Sequence, residues 1–260
     1  MDIEYPYAAN ADRLRLLYRL PTAPAPQRLL IVCGHDSAAS VGQGWPGDVA
    51  VVALAAIDTL LAGGPARFDA VALPSVLGVT GMPGVTGLPG VSGVSGVSGV
   101  SGVSGASGTG NIALAGPAPR IRNSQLLAQV AGLLVPGGTL VGHMVHGWAL
   151  RSIANTQGLR DVVAARIEPD AICRPADCLR ALARAGFNSA ECFYIQPSID
   201  APMGLIPGQR RAGRVQFLRA IRSARSGYSV SGYAFRLAMA GLGLGGMFQS
   251  QLFFWARKPC

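Results

Sequence analysis

"NSQLLAQVAGLLVPGGTLVGHMV", residues 123–145, holds two hydrophobic patterns joined by a Pro-Gly-Gly. Leu126, Leu127, Val130, Leu133 and Leu134 recur at helical spacing behind a capping Asn-Ser, and Pro136-Gly137-Gly138 stops that helix. "TLVGHMV" (139–145) then continues as an apolar run of strand length. An amphipathic helix that turns directly into a buried strand is half of an α/β repeat.

The flanking sequence supplies more of the same units. Upstream, "RLLIVCG" (28–34), "DVAVVAL" (48–54) and "DAVAL" (69–73) are short apolar runs that read as buried parallel strands. A helix over 12–18 and the Pro-broken "LPTAPAPQ" precede them. Downstream, "ADCLRALARAGF" (176–187) reads as a helix closed by glycine, and "ECFYIQP" (191–197) and "LFFWARKP" (252–259) as late strands. The order predicts one α/β domain over 1–260: an open, mainly parallel, Rossmann-like sheet flanked by helices.

One tract interrupts the pattern. From 78 to 108, eleven glycines stand at every third position, the later triplets nearly all Gly-Val-Ser. A collagen helix needs three chains and abundant imino acids, and only Pro83 and Pro89 lie in this tract. Its place between a strand and a helix makes 78–110 a disordered loop insertion. Doubling a loop costs only about 0.6 kcal/mol of closure entropy, so the fold tolerates it.

Composition narrows the partners. Half of the 260 residues are apolar and 13% are charged, which is globular. No stretch reaches the roughly 18–20 apolar residues of a spanning helix, and the amino end lacks the apolar core of a secretory signal. Five cysteines without a CxxC pair read as reduced thiols of a cytoplasmic protein; Cys173 and Cys178 are expected to be buried and inert. Residues 1–150 carry seven basic and seven acidic side chains, whereas residues after Asp200 carry nine basic and no acidic ones. Such a one-signed segment points to an anionic neighbour or, more plainly, to a solvated arginine-rich face.

In order, these elements resemble the class I S-adenosylmethionine-dependent methyltransferases, in particular the branch acting on small molecules and lipids. "LLIVCG" resembles the family's first strand and cofactor turn, and "AAIDTLLAGGPARFDAVALPSVL" its adenine-side loop and "FD-x-V" strand. "QVAGLLVPGGTLVGH" is similar to its "LxPGGxL" turn, and "LRALARAGFNSAECFYI" to the "aGF" turn into the sixth strand. The resemblance implies an antiparallel last strand and S-adenosylmethionine as cofactor, without a metal. It places Cys33, Gly34, His35, Asp58, Thr59, Leu73 and Pro74 at the cofactor, with Asp58 accepting from the adenine amino group. Asp69 is expected to anchor its strand and to have no part in chemistry.

The sequence also departs from the family. "CGHDSAAS" holds Gly34 alone where several glycines are usual, and only about fourteen residues separate Gly34 from the next strand. One of the usual seven strands is therefore missing. Either 49–54 takes the third place and the second strand is lost, or 49–54 is the second strand, ends in Leu54-Ala55-Ala56 without a carboxylate, and the third is lost. The cofactor half is truncated or degenerate on either reading.

Methyl transfer to a hydroxyl needs in-line placement and a base. His35 and His146, at strand carboxyl ends, are the candidates, each with a plain loop histidine as the simpler reading. His143 and His146 are spaced HxxH, but side chains three apart on a strand oppose one another, which disfavours a metal pair. The segment 198–250 reads as a helical basic lid over the acceptor site: "QRRAGRVQFLRAIRSAR" (209–225) sets Phe217, Leu218, Ile221 and Ala224 opposite Arg219 and Arg222. A basic helix beside the apolar stretch at 233–248 suits an anionic membrane surface, peripheral to its inner face. Nucleic acid is disfavoured because aromatics are not interleaved for base stacking. Two functions stay open: a methyltransferase for a small or lipid-like acceptor, and a non-catalytic protein of that fold serving as an interaction or membrane-surface module.

Overall fold

The protein is described by a computed structural model over residues 27–33, 47–54, 57–64, 68–74, 122–150, 170–197, 202–223 and 229–260. The expected helix at 12–18, Gly34, His35 and the Gly-Val-Ser tract lie outside the described residues.

Seven strands form one sheet: β1 (Arg28–Cys33), β2 (Asp48–Ala53), β3 (Phe68–Pro74), β4 (Leu134–Val145), β5 (Ser189–Pro197), β6 (Pro202–Pro207) and β7 (Gln251–Arg257). Their order is β2-β1-β3-β4-β7-β5-β6. The first four are mutually parallel, while β7 runs antiparallel to both β4 and β5, and β6 antiparallel to β5. The expected mainly parallel sheet with a reversed last strand is present. Because β2 pairs directly with β1 and forms the sheet edge, 48–53 holds the second place; the reading that put it third is set aside. The described sheet still counts seven because β6 closes its far edge. The segment 198–250, expected as a helical lid, carries that strand as well as helices. "PMGLIP" is bracketed by prolines, which an edge strand tolerates but which hide it from pattern reading.

Helix α1 (Ile57–Ala62), α2 (Asn123–Leu133) and α3 (Pro175–Arg184) precede α4 (Arg210–Ser223), α5 (Val230–Gly241) and a 3-10 turn at Gly245–Phe248. Ile57 of α1, Leu126, Leu127, Val130 and Leu133 of α2, and Cys178 and Leu182 of α3 share one core cluster with Leu30, Val32, Val71, Leu73, Leu140 and Phe254 of the strands. Phe217, Ile221 and Ala240 of α4 and α5 pack on Ile206 and Tyr194, and Tyr194 belongs to both clusters. All five described helices therefore lie on one sheet face. The alternate strand residues Leu29, Ile31, Ala70, Ala72, Val141, Ile195 and Phe253 form a second cluster on the other face. Among the described residues, no helix is long and apolar enough to cross a membrane.

The α2–β4 junction departs from expectation in detail. The Asn-Ser pair does not cap its own helix; Asp170, from a distant segment, accepts the Ser124 N–H through its carboxylate at 3.1 Å and the Asn123 Nδ2–H through its carbonyl at 2.9 Å. At the other end β4 begins at Leu134, and the sheet register shifts between Phe68 and Ala70 so that the Pro-Gly-Gly bulges out. Gly137 takes a φ of 75°, a left-handed conformation that glycine adopts without strain. The chain's one lysine, Lys258, donates to the carbonyls of Ala131 and Leu134 at 2.7 Å each, satisfying the last turn of α2. Asp69 accepts the N–H groups of Gln27 and Arg28 at 3.1 and 2.9 Å, the structural anchoring expected of it.

Candidate functional site

Four parallel strands aim their carboxyl ends at one edge of the sheet, where open α/β folds bind ligands. At that edge Cys33 of β1 stands in register with Ala53 of β2, and Pro74 of β3 with His143 of β4; His146 directly follows β4.

On the β1–β3 side, Asp58 and Thr59 occupy the exposed first turn of α1, just beyond β2. The Asp58 carboxylate accepts a hydrogen bond from Gln129 Nε2 of α2, and Gln129 Oε1 is buried without a partner among the described residues. Leu73 is fully buried in the core cluster, so only its backbone faces the edge. Its carbonyl would stand 2.8 Å from a Cβ at Gly142, and the Phe254 ring would stand 2.5 Å away, which is why position 142 holds glycine. Pro74 is likewise buried.

On the β4–β6 side the edge is built by aromatic contacts. His146 is 2% exposed. Its backbone N–H donates to Ser250 at 2.8 Å, and its Nδ1 lies 2.9 Å from the carbonyl of Gln249. A carbonyl only accepts, so Nδ1 carries a proton and the ring is oriented by that bond. The ring meets Tyr194 edge-on at 5.3 Å, and Tyr194 meets Phe217 of α4 at 5.4 Å. Burial pushes the Tyr194 phenol up to about 12, which keeps it protonated. Gly245 and Gly246 seal this stack from above: a Cβ at 245 would stand 2.8 Å from Phe217, and one at 246 would stand 2.5 Å from the Tyr194 hydroxyl. The backbone must come this close, so both residues are glycine.

Sequence reasoning missed Tyr194, Gln249 and the Gly245-Gly246 pair. The available signal was "LGLGGMF", whose glycines mark a close backbone approach. His143 sits within the sheet, between Pro74 and Phe253, and desolvation lowers it from 6.5 to about 4, so it is neutral at physiological pH. Among the described residues, no group of three or more His, Cys, Asp or Glu side chains could hold a metal ion. Cys173 and Cys178 are buried thiols, as expected, and burial together with a hydrogen bond to Cys192 pushes Cys178 well above its ordinary value.

Near the same edge, α2 and α3 flank a cavity of about 250 Å³ lined by Ser124, Asp170, Asp177, Arg180 and Arg184 among others. Burial alone would raise the Asp177 carboxyl, but hydrogen bonds from Arg174 and Arg180 outweigh it and hold the group below its ordinary value. Those contacts, with the Arg174 N–H at 3.1 Å, account for Asp177 as the cap of α3.

No protein-family model matches the chain, and no curated protein matches it. Among solved structures it is similar to phosphoethanolamine N-methyltransferase 2 of Haemonchus contortus in complex with phosphomonomethylethanolamine and S-adenosylhomocysteine, at 13% identity and a TM-score of 0.44. That likeness covers 95% of this chain and 53% of the other, so the chain spans about half of that protein's length. A SAM-dependent methyltransferase from Archaeoglobus fulgidus is similar at 11% identity and a TM-score of 0.46, over 95% and 94% of the two chains. A SAM-dependent methyltransferase from Thermotoga maritima is similar at 9% identity and a TM-score of 0.42, over 95% and 93%.

Proposed function

We propose that this chain is an S-adenosylmethionine-dependent methyltransferase acting on a small or lipid-like acceptor. The observation that carries this reading is the sheet: four parallel strands end at one edge, and a reversed β7 enters between β4 and β5. That arrangement is what the resemblance in 29–34, 55–77, 129–143 and 179–195 implies.

Asp58 and Thr59 offer a carboxylate and a hydroxyl beside the carboxyl ends of β1 and β2, chemistry that fits the amino and hydroxyl groups of a nucleoside. When bound, the cofactor supplies an electrophilic methyl group. The acceptor would lie toward β4, below the 245–248 turn. His146 is the candidate base there, its ring oriented by the Nδ1–H bond to the Gln249 carbonyl. A His146→Gln variant is expected to lower turnover at least tenfold with cofactor affinity unchanged.

A second reading is favoured by a specific observation. β2 ends at Ala53 and is followed by Leu54, without a carboxylate, and Asp58 already spends an oxygen on Gln129. This suits a protein of the same fold that has lost its cofactor and acts by interaction. Calorimetry with S-adenosylmethionine and S-adenosylhomocysteine separates the two. Micromolar binding supports the enzyme; no heat at millimolar ligand leaves the non-catalytic protein.

A further inference from the structure

The described helices fall into two kinds. α1, α2 and α3 turn their apolar side chains to the sheet and their polar ones outward, whereas α5 does not. Its inward side holds Ala240, Tyr233 and Leu237. Its outward side carries Val230, Ser231, Ala234, Phe235 and Ala238, and Leu242 extends the line past the helix end. No charged residue stands in that stripe. Val230 is 88% exposed, Phe235 55% and Leu242 66%, a run of large apolar groups that a helix in water does not normally present.

The neighbouring helix is its complement. α4 buries Gly213, Phe217 and Ile221, and on the opposite side exposes Arg211, Val215, Arg219 and Arg222. Arg236 lies 4.6 Å over the Phe248 ring, which Phe235 meets edge-on at 6.0 Å, so a cation and an aromatic are fixed at the border of the apolar stripe. From residue 201 to the last residue the sequence holds nine basic side chains and no acidic one.

We propose that the outward faces of α4 and α5 dock the protein on an anionic lipid surface, with Phe235 and Leu242 entering the boundary between headgroups and acyl chains and the α4 arginines meeting lipid phosphates. An apolar stripe bordered by arginines matches both layers of such a surface. A second copy of the same face does not fit it, because two arginine rows would oppose one another with no acidic residue between them. Nucleic acid would use the arginines but leave the aliphatic stripe in water. The proposal rests on α4 and α5 alone and stands whether or not the cofactor binds.

Co-sedimentation with two vesicle types tests it: phosphatidylcholine alone, and phosphatidylcholine mixed with phosphatidylserine. The full chain is expected to sediment with the mixed vesicles at low salt, to be released at high salt, and to ignore the neutral ones. Phe235→Ser with Leu242→Ser, and separately Arg211→Glu with Arg222→Glu, should each weaken sedimentation by roughly tenfold or more, since each basic residue near such a surface is worth about 1 kcal/mol. An unchanged thermal midpoint shows that these exposed positions leave the fold intact. Failure to sediment at low salt, or equal binding to neutral vesicles, overturns the proposal. So does a dimer in analytical ultracentrifugation that the Phe235/Leu242 pair dissolves, or tight binding of single-stranded RNA that the same pair leaves untouched.

Discussion

Among the described residues, the two sides of the sheet's carboxyl edge are held by different kinds of contact. On the β1–β3 side, the described contacts include the bridge from Asp58 of α1 to Gln129 and a fully buried Leu73. On the β4–β6 side, His146, Tyr194, Phe217, Gly245 and Gly246 interlock through ring contacts and backbone close enough to exclude a Cβ. β6, α4, α5 and the 245–248 turn form one continuous stretch between β5 and β7, and that stretch braces the end of β4.

His143 sits on the seam between these sides, in register with Pro74 of β3 and Phe253 of β7, and gives the largest expected effect. Its native pKa of about 4 lies below the 6.5 of an unfolded chain. Between those values the unfolded state binds the proton and the native state does not, so stability is full above about pH 6.5 and falls as pH drops toward 4. At 1.36 kcal/mol per unit, the fall amounts to about 3 kcal/mol. Urea denaturation across this window should show it, and His143→Gln should flatten the upper part, where carboxylates stay ionised. An identical slope in the variant would mean that the seam does not exclude water.

Next comes Gly246→Ala, which tests whether the inserted stretch is welded to β5. A Cβ there would stand 2.5 Å from the Tyr194 hydroxyl and ring, so overpacking of about 2 kcal/mol is expected, read as a lower urea midpoint with an unchanged slope. If the variant is neutral, the 245–248 turn is a loose cover and the contrast between the two sides weakens.

Much of this architecture was legible in the chain. The runs at 28–34, 48–54, 69–73, 191–197 and 252–259 became strands because continuous apolar character leaves few alternatives when both sheet faces are buried. The helix at 123–133 was legible from its period. Its cap was not, since Asp170 is distant in sequence and long-range hydrogen bonds leave no local signal. β6 was hidden for a different reason: six residues with a proline at each end look like a loop until an edge is available to pair with. For the site, the spacing after β4 located His146, but nothing local announced that Tyr194 and Gln249 would hold it. Such contacts depend on which distant segments the sheet brings together.

The smallest effect is expected on the β1–β3 side, and it is the one that measures the contrast. Asp69 ties the start of β3 to the start of β1 by accepting the N–H groups of Gln27 and Arg28 through one oxygen, in a partly exposed position. In Asp69→Ala those two donors turn to water, so the cost is that of replaceable hydrogen bonds, about 1 kcal/mol. The Gly246 change offers no such exit, because a misplaced methyl inside an aromatic stack cannot be solvated away. The ratio of the two losses, measured by urea denaturation on the same protein, therefore reports how unequally the halves are braced. A loss at Asp69 as large as that at Gly246 would mean that the β1–β3 side is held as tightly as the β4–β6 side, through a contact at the opposite end of the sheet from the candidate site.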